Sequence, residues 1–272
     1  MKKYILLLFI FSLLLSNNYA GNENITIGGR SAGMGGASVT LSDFWAINNN
    51  QAGIADLKNM KVGFYFENRF MVKELSYKTV AFLLPTKSGV FGFNYHHFGY
   101  SAYKEQKIGL AYAKSFGKSF STGLQLDYLG TSLGDNYGSK SAFTFEVGVM
   151  AKLTHNVTLG AHFYNPINAK FNDYNNEKIP SVFKLGLNYY FSDKLIIVIE
   201  SEKNINFDPI FKAGFEYKVV QFAYLRAGIS NNPTICTFGF GIEYHQFNFD
   251  FASSIHQTLG YSPQFSLIYN FK

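Results

Sequence analysis

Alternation between large apolar residues and small or polar residues recurs along most of this chain, from about residue 61 to the end. In the stretch SVFKLGLNYYF, Phe183, Leu185 and Leu187 share one face, opposite Lys184 and Gly186. Successive side chains of a β-strand point to opposite faces, so each such segment predicts a strand with one apolar face. The segments centre near residues 66, 80, 93, 111, 125, 147, 161, 186, 198, 213, 225, 239, 251 and 267, which predicts about 14 strands.

Segment length and composition indicate a membrane barrel rather than a soluble β-sandwich. Most segments run for roughly 9 to 12 residues, which suits a tilted strand that crosses a bilayer. Charged residues make up 15% of the chain, whereas a soluble domain carries ~25%. Aromatic residues make up 18%, yet the mean hydropathy is −0.02. An apolar outward face interleaved with polar residues explains both values and predicts an all-β fold, a transmembrane antiparallel β-barrel.

The first 20 residues have the features of a secretory signal peptide. Lys2 and Lys3 precede an apolar run, and Ala20 ends the segment with a small residue. The run is too short for a spanning helix, which needs ~18 apolar residues. Removal of the two lysines lowers the formal net charge from +6 to +4. The remaining basic residues are scattered, which argues against nucleic-acid binding. We expect a mature barrel in the outer membrane of a Gram-negative cell, in contact with its lipid.

Residues 21–60, between this leader and the first predicted strand, lack sustained alternation and contain the stretch GMGGASVTLSDFWAINNNQAGIA. Three glycines in four positions are typical of a loop that binds phosphate. A G-x-G-x-x-G run that starts at Gly33 would need glycine at position 38, where the chain has Ser38. No strand leads into the stretch, so a phosphate site is excluded.

The same stretch resembles the N-terminal signature of FadL-like outer-membrane barrels, in the branch that includes the PorV and PorQ proteins of the type IX secretion system. The residues at the signature positions are Gly33, Met34, Gly35, Gly36, Ala37, Asp43, Asn50, Gln51, Ala52 and Gly53. Gln51 stands where the signature has proline, and we expect it to make that turn less rigid. The closing residues 256–271 also look like the last hairpin of the family.

The resemblance implies a barrel of 14 strands whose lumen is filled by an N-terminal plug. Together with the leader and the alternating segments, it predicts a signal peptide at residues 1–20, a plug segment at 21–60 and the barrel at 61–272. A 14-stranded barrel is too wide for its own side chains to fill, so a plug of small residues is physically reasonable.

The inward face of the predicted strands carries charged residues. Charges at membrane depth are tolerated only when they face a wet or protein-filled lumen. They either pair with one another and with the plug, or they line a polar conduit. The candidates are Glu67, Arg69, Asp127, Glu146, Lys184, Lys212, Glu216, Arg226, Glu243 and Asp250.

Motifs for catalysis are missing from the sequence, so the protein is predicted not to be an enzyme and to need no cofactor or metal. There is no G-x-S-x-G or H-E-x-x-H stretch, and the single cysteine, Cys236, forms neither an internal disulfide nor a zinc site. The resemblance implies an accessory or structural role in type IX secretion, with other secretion-system proteins as partners. The alternative is passive transport of a hydrophobic small molecule. Because the predicted outer loops are short and leave little room for a ligand, the secretion role is favoured.

Overall fold

A computed structural model describes residues 24–134, 138–171 and 178–272. Fourteen antiparallel strands form one closed barrel, in which β1 pairs with β14. The strands are β1 (Lys61–Asn68), β2 (Ser76–Pro85), β3 (Val90–Tyr100), β4 (Tyr103–Phe116), β5 (Phe120–Leu133), β6 (Ser139–Lys152), β7 (Val157–Tyr164), β8 (Val182–Ser192), β9 (Leu195–Asn204), β10 (Ile210–Val220), β11 (Ala223–Ser230), β12 (Ile235–Tyr244), β13 (Phe247–His256) and β14 (Gly260–Asn270). The prediction of an antiparallel barrel of about 14 strands is confirmed, and each predicted centre falls within one strand. The predicted signal peptide, residues 1–20, lies outside the described residues.

The connections differ in length between the two ends of the barrel. The odd-numbered connections include residues 165–181, between β7 and β8, whereas three of the even-numbered ones consist of residues 193–194, 221–222 and 245–246. We call the end with the odd-numbered connections the outer end and the opposite end, where the barrel begins and finishes, the inner end. Short turns at the end that carries the termini are usual for outer-membrane barrels.

The outward face of the wall is apolar. The side chains of Leu110 and Phe143 are 60% and 74% exposed, and a surface built from such residues is stable against hydrocarbon rather than water. Aromatic residues surround the inner end, as in the girdle at a membrane interface: Phe116, Phe120, Phe191, Phe222, Tyr244 and Phe247. The fold and this surface support a location in an outer membrane. None of the helices in the described parts of the chain is long and apolar enough to cross a membrane.

Strands β4, β5 and β6 reach farther than the sequence predicted. The apolar alternation of the sequence breaks off at residues 99–106 and 130–141, which predicts outer connections there, but β3 and β4 meet at a turn of residues 101–102, and β5 continues to Leu133. The prediction was wrong there because both faces of a strand meet water beyond the membrane, so the apolar alternation stops. The hydrogen bonds between neighbouring strands join backbone groups and do not depend on apolar side chains, so the strands continue.

Candidate functional site

The N-terminal segment, defined here as residues 24–60, runs through the lumen from the outer end to the inner end. Ile25 lines a cavity at the outer end, and Lys61 begins β1 at the inner end. Between these points the segment forms α1 (Gly29–Gly33), α2 (Ala46–Asn49) and a 3-10 turn (Gln51–Ile54). Almost all side chains of residues 27–54 are buried. Residues 27–54 therefore pack against the inward faces of the strands, with large side chains such as Phe44 and Trp45 among those buried.

The glycine-rich part of the predicted motif, residues 33–37, packs against β10, β11 and β12. The N–H of Gly35 donates to Oγ1 of Thr237 over 2.8 Å. A Cβ placed on Gly228 of the wall would overlap the backbone of Met34 and Gly35. The two backbones thus approach more closely than side chains would allow, which accounts for glycine on both surfaces.

Asp43, the acidic residue of the motif, joins the two helices. Its Oδ1 accepts hydrogen bonds from the N–H groups of Trp45 (2.9 Å) and Ala46 (3.2 Å) at the start of α2. Its Oδ2 accepts a hydrogen bond from Nη1 of Arg30 on α1 over 3.2 Å. A carboxylate at this position satisfies N–H groups that have no partner within the helix.

Asn50 and Gln51 hold the 3-10 turn in place. Nδ2 of Asn50 donates to the carbonyl of Val39 over 2.6 Å. Gln51 is completely buried, and its Nε2 donates to the carbonyl of Ile47 (3.1 Å) and to Oε2 of Glu146 on β6 (2.7 Å). Gln51 therefore connects the N-terminal segment to the wall, a role that the comparison with proline did not suggest.

Replacing Gln51 with proline should raise the protease sensitivity of residues 24–60. Proline suits the first position of a helical turn, but it removes both hydrogen bonds of the amide. Limited proteolysis of the folded barrel, read by mass spectrometry, measures the effect. Gln51→Met retains the length of the side chain but not its hydrogen bonds, and it should also raise the protease sensitivity of residues 24–60. Stronger protection in the proline variant would mean that backbone rigidity at this turn outweighs the bond to Glu146.

Glu146 is the centre of a buried polar cluster on β4 to β7. Its Oε2 lies 2.9 Å from Nε2 of His162, and its Oε1 accepts a hydrogen bond from Nζ of Lys107. The same Nζ lies 3.6 Å from Oδ1 of Asp127. The side chains of Glu146 and His162 are fully buried. Each charged group of this cluster therefore has an opposite charge or a hydrogen-bond donor beside it, which compensates for its removal from water.

A second cluster joins α1 to β10, β11 and β13. Nε and Nη2 of Arg30 donate to the two carboxylate oxygens of Glu216 over 2.9 and 2.7 Å. Arg226 donates to Oε2 of Glu216 and, through Nη1, to Oδ1 of Asp250, both over 2.6 Å. The fork of a guanidinium matches a carboxylate, so the two arginines fix Glu216 between the helix and the wall.

A third cluster lies on β8, β9 and β10. Nζ of Lys212 donates to Oε1 of Glu200 (3.1 Å) and to Oε2 of Glu202 (2.7 Å), and Nζ of Lys184 lies 3.6 Å from Oε2 of Glu202. Oε2 of Glu200 also accepts hydrogen bonds from the N–H groups of Ser38 and Val39, over 2.7 and 2.8 Å. Each cluster therefore includes a contact with the N-terminal segment.

Three of the candidate charges lie toward the ends of the barrel. Arg69 follows β1 in a short 3-10 turn, with Nε 3.4 Å from Oε1 of Glu67. Glu243 is exposed near the inner end of β12, where its Oε2 accepts a hydrogen bond from the Tyr224 hydroxyl over 3.2 Å. Among the described residues, no group of histidine, cysteine and carboxylate side chains is arranged to hold a metal ion.

Several participants in these clusters were not among the candidates, namely Arg30, Lys107, His162, Glu200 and Glu202. Lys107 has the same strand parity as the inward Gly109, so strand parity would have found it. Glu200 and Glu202 share the inward face of β9 with Val198, so strand parity would have found them. No periodic signal marks Arg30, because it lies on a five-residue helix.

A salt bridge at the inner end holds the last part of the N-terminal segment. Nζ of Lys152 donates to Oδ2 of Asp56 over 2.6 Å, and Oγ of Ser115 donates to Oδ1 over 2.5 Å. Burial raises the pKa of the Asp56 carboxyl, but these hydrogen bonds and the Lys152 charge outweigh burial and lower it. Both side chains are nearly half exposed, so the pair stabilises the fold by no more than about 1 kcal/mol.

Two of the cavities in the lumen lie next to α1. The outer cavity has a volume of about 720 Å³ and is lined by Ala32 of α1. The inner cavity has a volume of about 270 Å³ and is lined by Arg30 of the same helix. The outer one lies within the usual range of ~300–1,000 Å³ for small-molecule sites. Room for a ligand therefore exists despite the short outer loops.

A third concavity lies on the membrane-facing side of the wall. This outer-wall hollow has a volume of about 770 Å³ and lies over β7 to β11. Its walls are largely aliphatic, with Leu185, Ile199 and Ile229 each about half exposed. Lys212, Ser230 and Asn231 line both the hollow and the outer cavity. At these residues the lumen and the membrane side are separated by a single layer of strand.

Solved structures with the same fold include two toluene transporters. TbuX of Ralstonia pickettii is 13% identical, with a TM-score of 0.69 over 90% of this chain and 98% of that chain. TodX of Pseudomonas putida is 12% identical, with a TM-score of 0.67 over 90% and 97%. A Pseudomonas aeruginosa FadL homologue is 14% identical, with a TM-score of 0.63 over 93% and 100%.

No family model and no curated protein matches the sequence. The fold of these structural neighbours agrees with the barrel that the FadL-like resemblance implies. At identities this low the likeness concerns the fold. The chain has the barrel fold of the toluene transporters and of the FadL homologue, along nearly its whole length.

Proposed function

We propose that this protein is a passive, non-enzymatic outer-membrane channel for hydrophobic small molecules. In this proposal a solute enters the outer cavity and leaves sideways, through the wall between β10 and β11, into the outer-wall hollow. The observation that carries the proposal is that the two spaces share Lys212, Ser230 and Asn231. The fold common to this chain and the toluene transporters supports it.

The direction of exit follows from the polarity of the two ways out. The inner cavity is lined by Arg30, Glu216, Arg226 and Asp250, and a hydrocarbon gains nothing by displacing water from charged groups. The outer-wall hollow is aliphatic and faces lipid. An apolar solute is therefore more stable in the hollow than in the inner cavity, and Ser230, which lines both the outer cavity and the hollow, marks the place where it would cross the wall.

Filling the outer-wall hollow should slow uptake. Ala213→Trp introduces a large ring among the residues that line the hollow, and we expect uptake of radiolabelled toluene to fall several-fold in cells of a Gram-negative host that lacks its own channel. Such cells are needed because their intact outer membrane limits entry. Ala151→Phe enlarges another outward alanine on β6, away from the hollow, and should leave uptake unchanged. Equal uptake by Ala213→Trp and the unaltered protein would contradict exit through the hollow.

The secretion role predicted from the sequence stays a prediction. It rests on the resemblance at residues 33–53 and 256–271, and the structural neighbours favour the channel instead. Affinity purification of the tagged barrel distinguishes the two. Secretion components recovered with the barrel, together with toluene uptake unchanged by its deletion, would favour the secretion role.

A further inference from the structure

We infer that the lumen contains a second, polar route for water and small cations, between the outer and the inner cavity, and that Arg30 keeps it closed. This route is separate from the proposed apolar exit through the wall. It depends on the position of α1, whose residue Ala32 lines the outer cavity and whose residue Arg30 lines the inner one. A helix of only five residues thus separates two spaces of about 720 and 270 Å³.

The contacts of α1 with the wall show which part of the barrier between the two cavities depends on Arg30. Gly29 N–H donates to Oγ of Ser266 over 3.2 Å, and Oγ1 of Thr237 donates to the carbonyl of Gly33 over 2.9 Å. These neutral hydrogen bonds hold the two ends of the helix. Between them, Arg30 alone in α1 carries a charged side chain, and it bridges the gap to Glu216 with two hydrogen bonds and to Asp43 with a third. Loss of the Arg30 side chain empties the space that it occupies and removes its charge-assisted hydrogen bonds.

The charge of the inner cavity determines what would pass. Its lining includes four carboxylates, from Asp43, Glu216, Glu243 and Asp250, and three cationic side chains, from Arg30, Lys61 and Arg226. Without Arg30 the carboxylates outnumber the cations by two. Rings of carboxylates select cations in pores. The opened route therefore passes water and small inorganic cations, and it excludes an apolar solute.

Recording from the full-length barrel in a planar phospholipid bilayer tests this. In KCl the unaltered protein should remain closed, and Arg30→Ala should raise the mean current by roughly tenfold or more, because the side chain that closes the route is gone. Under a KCl gradient the reversal potential should indicate a preference for K⁺ over Cl⁻. Arg30→Lys keeps the charge but loses the fork and should give an intermediate current. Arg69→Ala, which removes an arginine from the outer cavity away from α1, serves as the matched control and should stay closed.

A second measurement remains valid if the alanine variant folds poorly. Each variant is first checked for the heat-dependent gel shift of a folded barrel, and Arg30→Gln replaces Arg30→Ala where needed. In a Cys236→Ser background, Ser42→Cys places a thiol on the inner cavity. A small cationic thiol reagent added from the outer side should label it only when Arg30 is replaced. Folded variants that neither conduct nor become labelled, or a current carried mainly by Cl⁻, would overturn the inference.

Discussion

Replacing Glu146 with leucine should cost the barrel about 3–5 kcal/mol of unfolding free energy, the usual effect of removing one partner from a buried ion pair. Lys107 and His162 would lose the carboxylate that both contact, and Gln51 would lose its bond to the wall. The N-terminal segment should therefore become accessible to protease at lower denaturant concentrations than the barrel itself. Urea unfolding in phospholipid vesicles measures the first effect, and limited proteolysis measures the second.

Two variants separate the role of Glu146 from general damage. Glu146→Gln keeps the shape and loses the charge, and should be destabilised less than the leucine variant, because an amide still accepts one of the hydrogen bonds. Glu243→Leu removes an exposed carboxylate near the inner end of β12 and should change the unfolding free energy by less than about 0.5 kcal/mol. Similar losses for Glu146→Leu and Glu243→Leu would contradict the assignment of Glu146 as an anchor.

Replacing Gly228 with leucine should displace residues 34–35 from the wall. A Cβ at this position overlaps the backbone of Met34 and Gly35, which has no freedom to give way. Overpacking a tight interior lowers the free energy of unfolding by about 1–3 kcal/mol or more. Because the overlap here is with backbone, we expect a loss at the upper end of this range or failure to fold. The variant that does fold should show strong protease cleavage within residues 24–60.

Gly130→Leu provides the matched control, since Gly130 is also a strand glycine, on β5. A Cβ there has its nearest neighbour 3.7 Å away, an ordinary contact. Its folding yield and protease pattern should match those of the unaltered protein. If Gly228→Leu gave the same pattern as Gly130→Leu, the close approach of α1 and its flanking glycines to β11 would be disproved.

The strands and the face that each side chain occupies could be predicted from the sequence, because both follow from a period of two residues. Lys184 and Leu185 occupy opposite faces of β8 whatever the neighbouring strands are. The prediction failed where the environment of the two faces is the same. Residues 103–106 are the example, since beyond the membrane polar side chains line both faces of β4 and the pattern ends before the strand does.

Ion-pair partners, by contrast, could not be predicted from spacing. Lys107 on β4 contacts Glu146 on β6 across the whole width of β5. This contact requires long side chains and a wall curved inward by closure of the barrel. Arg30 and Glu216 meet across the lumen, 186 residues apart in sequence, and neither lies in a pattern that refers to the other.

The sequence by itself determined the all-β class, the number of strands, the inward position of most candidate charges and the glycine-rich segment that precedes the barrel. These properties are local, since each depends on the alternation or composition of a short stretch. Tertiary structure alone decided that Gln51 contacts Glu146, that Arg30 lies between two cavities, and that the outer-wall hollow adjoins the lumen at Ser230. Cavities and cross-lumen contacts arise only when the barrel closes around the N-terminal segment, because their shape is the space that the packed side chains leave unfilled.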